Sequence, residues 1–364
     1  MKVLIYLGHP AHFHFYKYVI RELEKKNHSV LVVIKKKEIL EELLQLANMK
    51  YINVMTEERK NSRFAIAWSL LKRDLKVLTI SMKFHPDLMI GSSVEITHVG
   101  KILNIPSIVT VEDDINHVKF LAKIGYPLAT RILVPTGCKV GKFAYKTNFY
   151  NGYQKLAYLH PNWFTPDPEK VKHLYQGEKR YFILRLVGFN AYHDAGERGI
   201  DDALAETIIH YLEPHGKVYI NSERPIPAHL ESYRLPISVD DIHHAMYYCS
   251  LFIADSGSMC TECALLATPS IRHCSLIGYQ ALLLELDHRF HLTFGIELSE
   301  PELMFQKIDE ILALPDIKAE WMKRREVMLA DKIDVTAFFV WYIENFPKSV
   351  DILNTDSDYQ FRFK

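Results

Sequence analysis

The stretch SLFIADSGSMCTECALLATPSIR, residues 250–272, predicts a strand, a turn, a helix and a second strand in direct succession. Its apolar run 250–254 has the length of a buried strand, and the small polar residues 255–258 are typical of a tight turn. Residues 259–267 have helical spacing, and a new strand-like run begins at 268. Strands joined through a helix lie parallel in one sheet, so the stretch predicts an α/β fold with right-handed crossovers.

The same alternation of strands and helices extends over most of the chain. Strand-like runs occupy residues 2–7, 29–34, 51–55, 87–91, 107–111, 131–135, 181–187 and 217–221. A segment at 151–170 contains three prolines and no clear period, which is typical of a linker. We therefore predict two doubly wound, Rossmann-like domains at residues 1–160 and 161–335. A C-terminal helix and tail at 336–364 is expected to pack back on the first domain.

The composition of the 364 residues, 48% hydrophobic and 24% charged, provides for two cores and excludes a disordered chain. The 44 basic and 44 acidic residues cancel overall, but residues 1–160 carry 24 basic against 13 acidic side chains. A basic first domain suits an anionic partner or a membrane surface. Overall neutrality and the lack of a recognisable nucleic-acid-binding module predict no nucleic-acid partner.

The cysteine content and the N-terminal sequence predict a cytoplasmic protein. Five scattered cysteines are an odd number, and the chain starts with a short strand-like run rather than a signal peptide. No run approaches 18 apolar residues, so we expect any membrane contact to be peripheral, at the inner face of the membrane.

The turn at residues 255–258 is the strongest candidate for a binding site. Ligands of open α/β sheets bind beyond the carboxyl ends of the strands, where small residues let backbone N–H groups approach a phosphate. The candidate substrate-binding residues of this turn are Asp255, Ser256, Gly257 and Ser258. Glu262 follows one helical turn later, in a position to accept both hydroxyl groups of a ribose. The alternative is an ordinary turn with a Ser or Asp N-cap.

This turn and helix resemble the nucleotide-sugar motif of GT-B proteins, both of UDP-N-acetylglucosamine 2-epimerases and of the UDP-N-acetylglucosamine transferase of peptidoglycan synthesis. The chain more closely resembles domain-of-unknown-function family 354, whose members are GT-B-like. The matching pieces are HPAHFHFYK (9–17), YNGYQKLAYLHP (150–161), RLVGFNAYHD (185–194), NSERPIP (221–227) and residues 255–272. The resemblance implies a GT-B fold in which the first domain binds an acceptor, the second binds a nucleotide-sugar, and the site is the cleft between them.

The resemblance also implies roles for individual residues of the second domain. Ser256, Gly257 and Ser258 would hold the diphosphate, and Glu262 would bind the ribose. Arg185 would lie near the cleft and neutralise phosphate charge.

Two further groups in the second domain follow strands. Asn221, Ser222 and Glu223 are candidates to contact the base or the sugar, with loop capping as the alternative. His193 and Asp194 are candidates to close over the pyrophosphate.

Three histidines, His9, His12 and His14, directly follow the first strand. Metal-independent glycosyl transfer needs a base to deprotonate the acceptor hydroxyl, and an unperturbed imidazole has a suitable pKa of about 6.5. We predict His12 as this catalytic base and His14 as its alternative or support. Imidazoles are also common metal ligands, but no Asp or Glu lies nearby in sequence. We therefore predict neither a metal nor another cofactor.

Residues 112–114 are three consecutive carboxylates after a strand of the first domain. Glu112 or Asp113 is a candidate catalytic base or orienting partner of His12, with N-capping and solvated charge as the alternative. Glu112 resembles the glutamate in the His-x-Glu-Ala-Gly segment of the 2-epimerases. Those enzymes carry Asp-Thr where this chain has Ser92–Ser93, and their N-terminal Gly-Thr-Arg-Pro-Glu pattern is missing here.

Two other patterns have more ordinary interpretations beside their functional ones. Cys260-x-x-Cys263 suggests a metal or redox site, but it lies on an apolar helix, where cysteine packs as a small apolar residue. The amphipathic stretch 63–83 predicts either a solvated helix face or contact with an anionic membrane. Its basic residues are Lys72, Arg73, Lys76 and Lys83.

These patterns and the resemblance together predict a glycosyltransferase. It would move a sugar from a nucleotide-sugar, UDP-linked, to a cell-surface polysaccharide or lipid-linked glycan without a metal. The alternatives are a UDP-N-acetylhexosamine 2-epimerase-like enzyme and a non-catalytic nucleotide- or glycan-binding protein of the same fold.

Overall fold

The protein is described by a computed structural model. It covers residues 1–37, 39–55, 63–188, 198–275, 277–278 and 280–364. Within this part of the chain, contacts between Cα atoms define two compact units. The first unit is Met1–Trp163 with Lys332–Lys364, and the second is Phe164–Asp331.

The first unit contains a seven-stranded parallel sheet with the strand order β3-β2-β1-β4-β5-β6-β7. Its strands are β1 (Lys2–Leu7), β2 (Ser29–Lys35), β3 (Tyr51–Met55), β4 (Leu88–Gly91), β5 (Ser107–Thr110), β6 (Arg131–Pro135) and β7 (Thr147–Tyr150). Its helices are α1 (Pro10–Lys25), α2 (Leu40–Leu46), α3 (Arg63–Phe84), α4 (Val94–Leu103), α5 (Lys119–Ile124), α6 (Leu156–Leu159), α13 (Val335–Glu344) and α14 (Lys348–Thr355). The strand order reverses between β1 and β4, and such a switch point is where doubly wound sheets bind ligands.

The second unit contains a five-stranded parallel sheet with the strand order β12-β11-β10-β8-β9. Its strands are β8 (Tyr181–Leu186), β9 (Lys217–Ser222), β10 (Leu251–Ala254), β11 (Ser270–His273) and β12 (Thr293–Ile296). Its helices are α7 (Asp202–Leu212), α8 (Ile242–Tyr248), α9 (Gly257–Leu265), α10 (Ala281–Leu284), α11 (Pro301–Leu312) and α12 (Ile317–Asp331). The switch point of this sheet lies between β8 and β10.

Strands that are buried on both faces form the centre of both sheets. All four residues of β4, β5, β10 and β11 are buried, as expected for parallel strands that are covered by helices on both faces. The predicted fold class, two Rossmann-like α/β domains, is therefore confirmed.

The C-terminal segment 332–364 completes the core of the first unit. Helix α13 packs on α1, where the rings of Phe339 and Phe15 are 4.9 Å apart, and Phe339 also contacts Tyr150 at 5.3 Å. Three helices, α11, α12 and α13, occupy most of residues 301–344, and the chain passes from the second unit to the first between α12 and α13.

Candidate functional site

Asp255 lies in the turn after β10 and links this turn to the segment that follows β8. This side chain is 4% exposed, and its Oδ1 accepts the N–H of Val187 at 2.9 Å. Burial raises the pKa of Asp255 to about 6. The carboxyl is thus used to hold the segment after β8, and a carboxylate would also repel a phosphate. In this structure the Asp255 carboxyl shapes the turn, and the substrate-binding role that the sequence suggests for it stays a prediction.

The first turn of α9 has backbone N–H groups that an anion can use. Ser256 is the N-cap residue with extended backbone (φ −113°, ψ 128°), and its side chain makes no capping hydrogen bond within the described residues. The first N–H groups of a helix have no partner inside the helix, and its dipole attracts negative charge. The residues predicted to hold a diphosphate, Ser256, Gly257 and Ser258, lie at this helix N-terminus, and their binding role stays a prediction.

Two side-chain ends pack closely against the glycine at position 257. A Cβ atom at this position would lie 2.7 Å from Oε1 of Gln280 and 2.8 Å from Cδ1 of Leu283. Both distances are shorter than any ordinary carbon contact. The glycine thus allows α9 to begin directly against the side chains of the segment around α10.

Glu262 lies one turn into α9, and its side chain is 12% exposed. Its Oε1 is 3.3 Å from Nε2 of His243, a buried residue on α8. No sequence pattern indicates His243, because this residue is 19 positions from Glu262 and belongs to no motif around it. A histidine that contacts one carboxylate oxygen fixes the orientation of the other.

One cluster of polar side chains lies at the ends of β8 and β9. It consists of Arg185 and of Asn221 and Glu223, which are far from Arg185 in the sequence. The Arg185 guanidinium donates hydrogen bonds to Asn221 Oδ1 and Glu223 Oε1. Ser222 instead bonds to its own loop: its Oγ donates to the carbonyl of Arg224 at 2.7 Å. Loop capping, the alternative that we stated for this segment, is what Ser222 does.

His193 and Asp194, which we predicted to close over the pyrophosphate, lie outside the described residues.

In the first unit, His9 and His12 bond to the backbone of the turn between β1 and α1. Nδ1 of His9 accepts the N–H of Ala11 at 3.2 Å and caps α1, and Nδ1 of His12 accepts the N–H of Gly8 at 3.1 Å. An Nδ1 atom that accepts a hydrogen bond carries no proton, so the neutral His12 ring carries its proton on Nε2. Burial, with the charges of His9 and Lys37, lowers the pKa of His12 to about 3.

This tautomer changes the role that we expect for His12. The predicted catalytic base needs an unprotonated Nε2, whereas the hydrogen bond from Gly8 leaves Nε2–H as a donor. His14, the alternative, lies between aromatic rings, with its ring 5.2 Å from those of Phe13 and Tyr158.

Replacing His12 by glutamine is expected to reduce the loss of unfolding free energy that the protein shows as the pH falls below 6.5. The imidazole has a pKa of about 3 when folded and about 6.5 when unfolded, so the unfolded chain takes up the proton first and stability falls as pH drops below 6.5. The wild type should lose up to about 2 kcal/mol between pH 7 and 5 through this residue. Chemical denaturation at several pH values measures the loss, with His117→Gln as an exposed control in the same unit. Equal pH slopes of the free energy of unfolding for wild type and His12→Gln would show that folding does not lower the pKa of His12.

Glu112 does not orient His12 in this structure. Its Oε1 accepts the N–H of Gln154 at 2.7 Å, and its Oε2 pairs with the ammonium of Lys155. The Glu112 carboxylate thus stabilises the segment that leads into α6, and it does not form the expected hydrogen bond to His12. Asp113 is exposed beside it.

Cys260 and Cys263 pack in the interior of the second unit. Both are buried free thiols, and burial raises the pKa of Cys260 to about 12 and that of Cys263 well above its usual value. Thiols in this state are poor nucleophiles. Among the described residues, no three His, Cys, Asp or Glu side chains form a group that could hold a metal ion.

Helix α3 presents apolar and basic side chains to solvent. Trp68, Leu71, Leu75 and Met82 are between 47% and 60% exposed and recur at helical spacing. Lys72, Lys76 and Lys83 are exposed along the same helix. Arg73, which the sequence grouped with these lysines, instead pairs with the buried Glu95 of α4. None of the described helices is both long and apolar enough to span a membrane.

Solved structures with the same fold include nucleotide-sugar epimerases and glycosyltransferases. A Listeria monocytogenes protein, provisionally assigned as a UDP-N-acetylglucosamine 2-epimerase, has a TM-score of 0.69 at 13% identity, covering 94% of this chain and 95% of its own. The UDP-GlcNAc 2-epimerase of Neisseria meningitidis, solved with UDP-GlcNAc, gives 0.62 at 15% identity with coverages of 90% and 94%. MurG of Acinetobacter baumannii gives 0.59 at 13% identity with coverages of 95% and 100%.

These similarities and the two parallel sheets define the class of the protein, which is the GT-B fold. Residues 1–337 match the family described as protein of unknown function (DUF354), and the chain belongs to this family. No curated protein matches the sequence.

Proposed function

We propose that this protein is a glycosyltransferase that uses a UDP-linked sugar as its donor. The observation that carries the proposal is the start of α9, where N–H groups without a side-chain cap precede Glu262 by one turn. This arrangement suits a nucleoside diphosphate: the N–H groups bind the phosphates, and the Glu262 carboxylate accepts hydrogen bonds from the ribose hydroxyls. Arg185, at the end of the neighbouring strand β8, adds positive charge.

In the proposed reaction, an acceptor hydroxyl attacks the anomeric carbon of the sugar as the bond from that carbon to the diphosphate oxygen breaks. His14 takes the hydroxyl proton, and Nε2–H of His12 donates a hydrogen bond to the acceptor. The nucleoside diphosphate leaves with the bonding electron pair, stabilised by α9 and Arg185. No metal is needed in this scheme, and the anomeric configuration is inverted.

A UDP-N-acetylhexosamine 2-epimerase-like activity is the second candidate, favoured by the epimerases among the structures of the same fold. The two reactions differ in what they consume. A transferase releases nucleoside diphosphate only when an acceptor is present, whereas an epimerase makes a new sugar nucleotide without one. Product analysis with and without a glycan acceptor separates them.

Specific stabilisation by one nucleotide is the expected result of a thermal-shift panel with UDP-, GDP-, CMP-, TDP- and ADP-linked compounds. A ligand at 100 times its Kd stabilises the folded protein by about 2.7 kcal/mol. Glu262→Ala should weaken binding roughly 100-fold, because about 3 kcal/mol of charge-assisted hydrogen bonding to the ribose is lost. Glu326→Ala, an exposed change in the same unit, serves as the control. Absence of a shift with every compound would disprove the donor site and favour a non-catalytic binding protein.

We further propose that the acceptor is a lipid-linked glycan or a cell-surface polysaccharide and that α3 contacts an anionic membrane. Two features of the helix support this. Its exposed side chains Trp68, Leu71 and Leu75 are apolar, and lysines accompany them. Apolar insertion combined with attraction to acidic headgroups is how amphipathic helices bind membranes.

A further inference from the structure

Residues in register form a row across the sheet of the second unit, just before the turn at 255–258. In the order β12, β11, β10, β8 and β9, they are Gly295, Arg272, Ala254, Arg185 and Asn221. Side chains in register on neighbouring parallel strands lie on the same face of the sheet. Two arginines therefore flank the small Ala254, with their Cα atoms roughly 9–10 Å apart because they are two strands apart.

Arg272 lies against the first residue of α9. Its Nη1 is 3.3 Å from the point where a Cβ atom on Gly257 would stand, and it donates a hydrogen bond to Oε1 of Gln280 at 3.1 Å. The residue is 4% exposed, and its Nε is buried without a hydrogen-bond partner in the described part of the chain. A buried guanidinium with unused donors thus faces the start of a helix.

The charge of Arg272 has no direct counterion among the described residues. Asp287 is near enough to be influenced by it, but its Oδ2 accepts the N–H of Gly295 at 2.8 Å, and burial raises its pKa. A buried guanidinium is costly unless an anion pairs with it. The same place is where the N–H groups and dipole of α9 attract an anion.

We propose that Arg272 is a diphosphate-binding residue that, with Arg185 on the other side of Ala254, selects nucleoside diphosphates over monophosphates. The inference rests on the proposed function, because it specifies the donor of that same site. Two guanidinium groups and a helix N-terminus match two charged phosphates, whereas a monophosphate engages only part of this set. No spacing along the chain indicates this role of Arg272, because it depends on the register of three strands.

Isothermal titration calorimetry of the full chain tests this proposal. The two ligands are the nucleoside diphosphate and the nucleoside monophosphate of the base that stabilises the protein in the thermal-shift panel. The wild type should bind the diphosphate at least about 30-fold more tightly, an effect of one charge-assisted contact. Arg272→Gln should lose roughly this factor for the diphosphate and less than about threefold for the monophosphate. Arg289→Gln removes an exposed arginine of the same unit and should change neither affinity.

Two results for Arg272→Gln would overturn the proposal. One is unchanged affinity for both nucleotides. The other is an equal loss of affinity for both, which would mean that Arg272 only supports the turn. If circular dichroism shows that Arg272→Gln is unfolded, Arg272→Lys replaces it, since lysine keeps the charge but loses the forked donors. An unchanged preference for the diphosphate in Arg272→Lys overturns the proposal as well.

Inorganic pyrophosphate separates a failure of this inference from a failure of the proposed function. If the wild type binds no nucleotide, the proposed function fails. Greater thermal stabilisation by pyrophosphate than by phosphate, reduced in Arg272→Lys, would still support the diphosphate site. Equal stabilisation by the two anions at matched ionic strength would overturn it.

Discussion

Replacing Asp334 by alanine is expected to lower the free energy of unfolding of the first unit by about 3 kcal/mol, the largest stability effect that we predict. Asp334 is 4% exposed and is the N-cap of α13. It accepts hydrogen bonds from Trp163 Nε1 at 2.8 Å, Asn162 Nδ2 at 2.9 Å and the N–H of Ala337 at 3.0 Å. The variant loses the cap, worth about 1 kcal/mol, and leaves donors without partners at about 1–3 kcal/mol each.

The position of Asp334 explains why the loss should spread through the first unit. The residue stands where the chain re-enters this unit, and it links α13 to the last residues before the second unit, Asn162 and Trp163. Helix α13 in turn packs its aromatic side chains on α1. Loosening its first turn therefore loosens the core that these helices share.

Hydrogen exchange followed by mass spectrometry is the appropriate measurement, because two units need not unfold together and one melting curve does not separate them. Peptides from the first unit should exchange faster in Asp334→Ala than in the wild type. The melting temperature of this unit should fall by roughly 6–12 °C. Asp201→Ala is the matched control: Asp201 is also an N-cap, but it is exposed and lies in the second unit. A loss near 1 kcal/mol in both variants would contradict the role that we assign to the buried carboxylate.

The sequence predicts the fold well where strands are buried on both sides. Strands β1 and β10 are continuous apolar runs, and their bounds were clear. Strands β7 and β12 were not predicted because they are four-residue strands at sheet edges. An edge strand has a neighbour on one side only, so its sequence needs no uninterrupted apolar run.

The candidate site was predictable to the extent that it is local in sequence. The turn at 255–258 and Glu262 follow from one strand–turn–helix pattern. Arg272 depends on strand register, and the proton position of His12 depends on the direction of one backbone N–H group. Neither is encoded by spacing along the chain.

Substituting the exposed leucines of α3 is expected to abolish most membrane binding. In the variant Leu71→Gln/Leu75→Gln, two side chains that are 47% and 54% exposed no longer insert apolar surface into the lipid. Burying a leucine contributes about 1.5–3 kcal/mol, so partitioning should fall on the order of 100-fold. Sedimentation with phosphatidylcholine vesicles containing phosphatidylserine measures this, and the folded core should be unaffected because both side chains face solvent.

Charge provides the second half of this test. Lys72→Gln/Lys76→Gln should weaken binding to acidic vesicles by about 1 kcal/mol per lysine, and high salt should have a similar effect on the wild type. The matched control is Leu303→Gln/Val327→Gln, which changes two exposed aliphatic residues of the second unit and should bind like the wild type. If the α3 variants bind as strongly as this control, the helix face is simply solvated. If both leucine and lysine variants lose binding, a membrane-bound acceptor becomes the first substrate class to test.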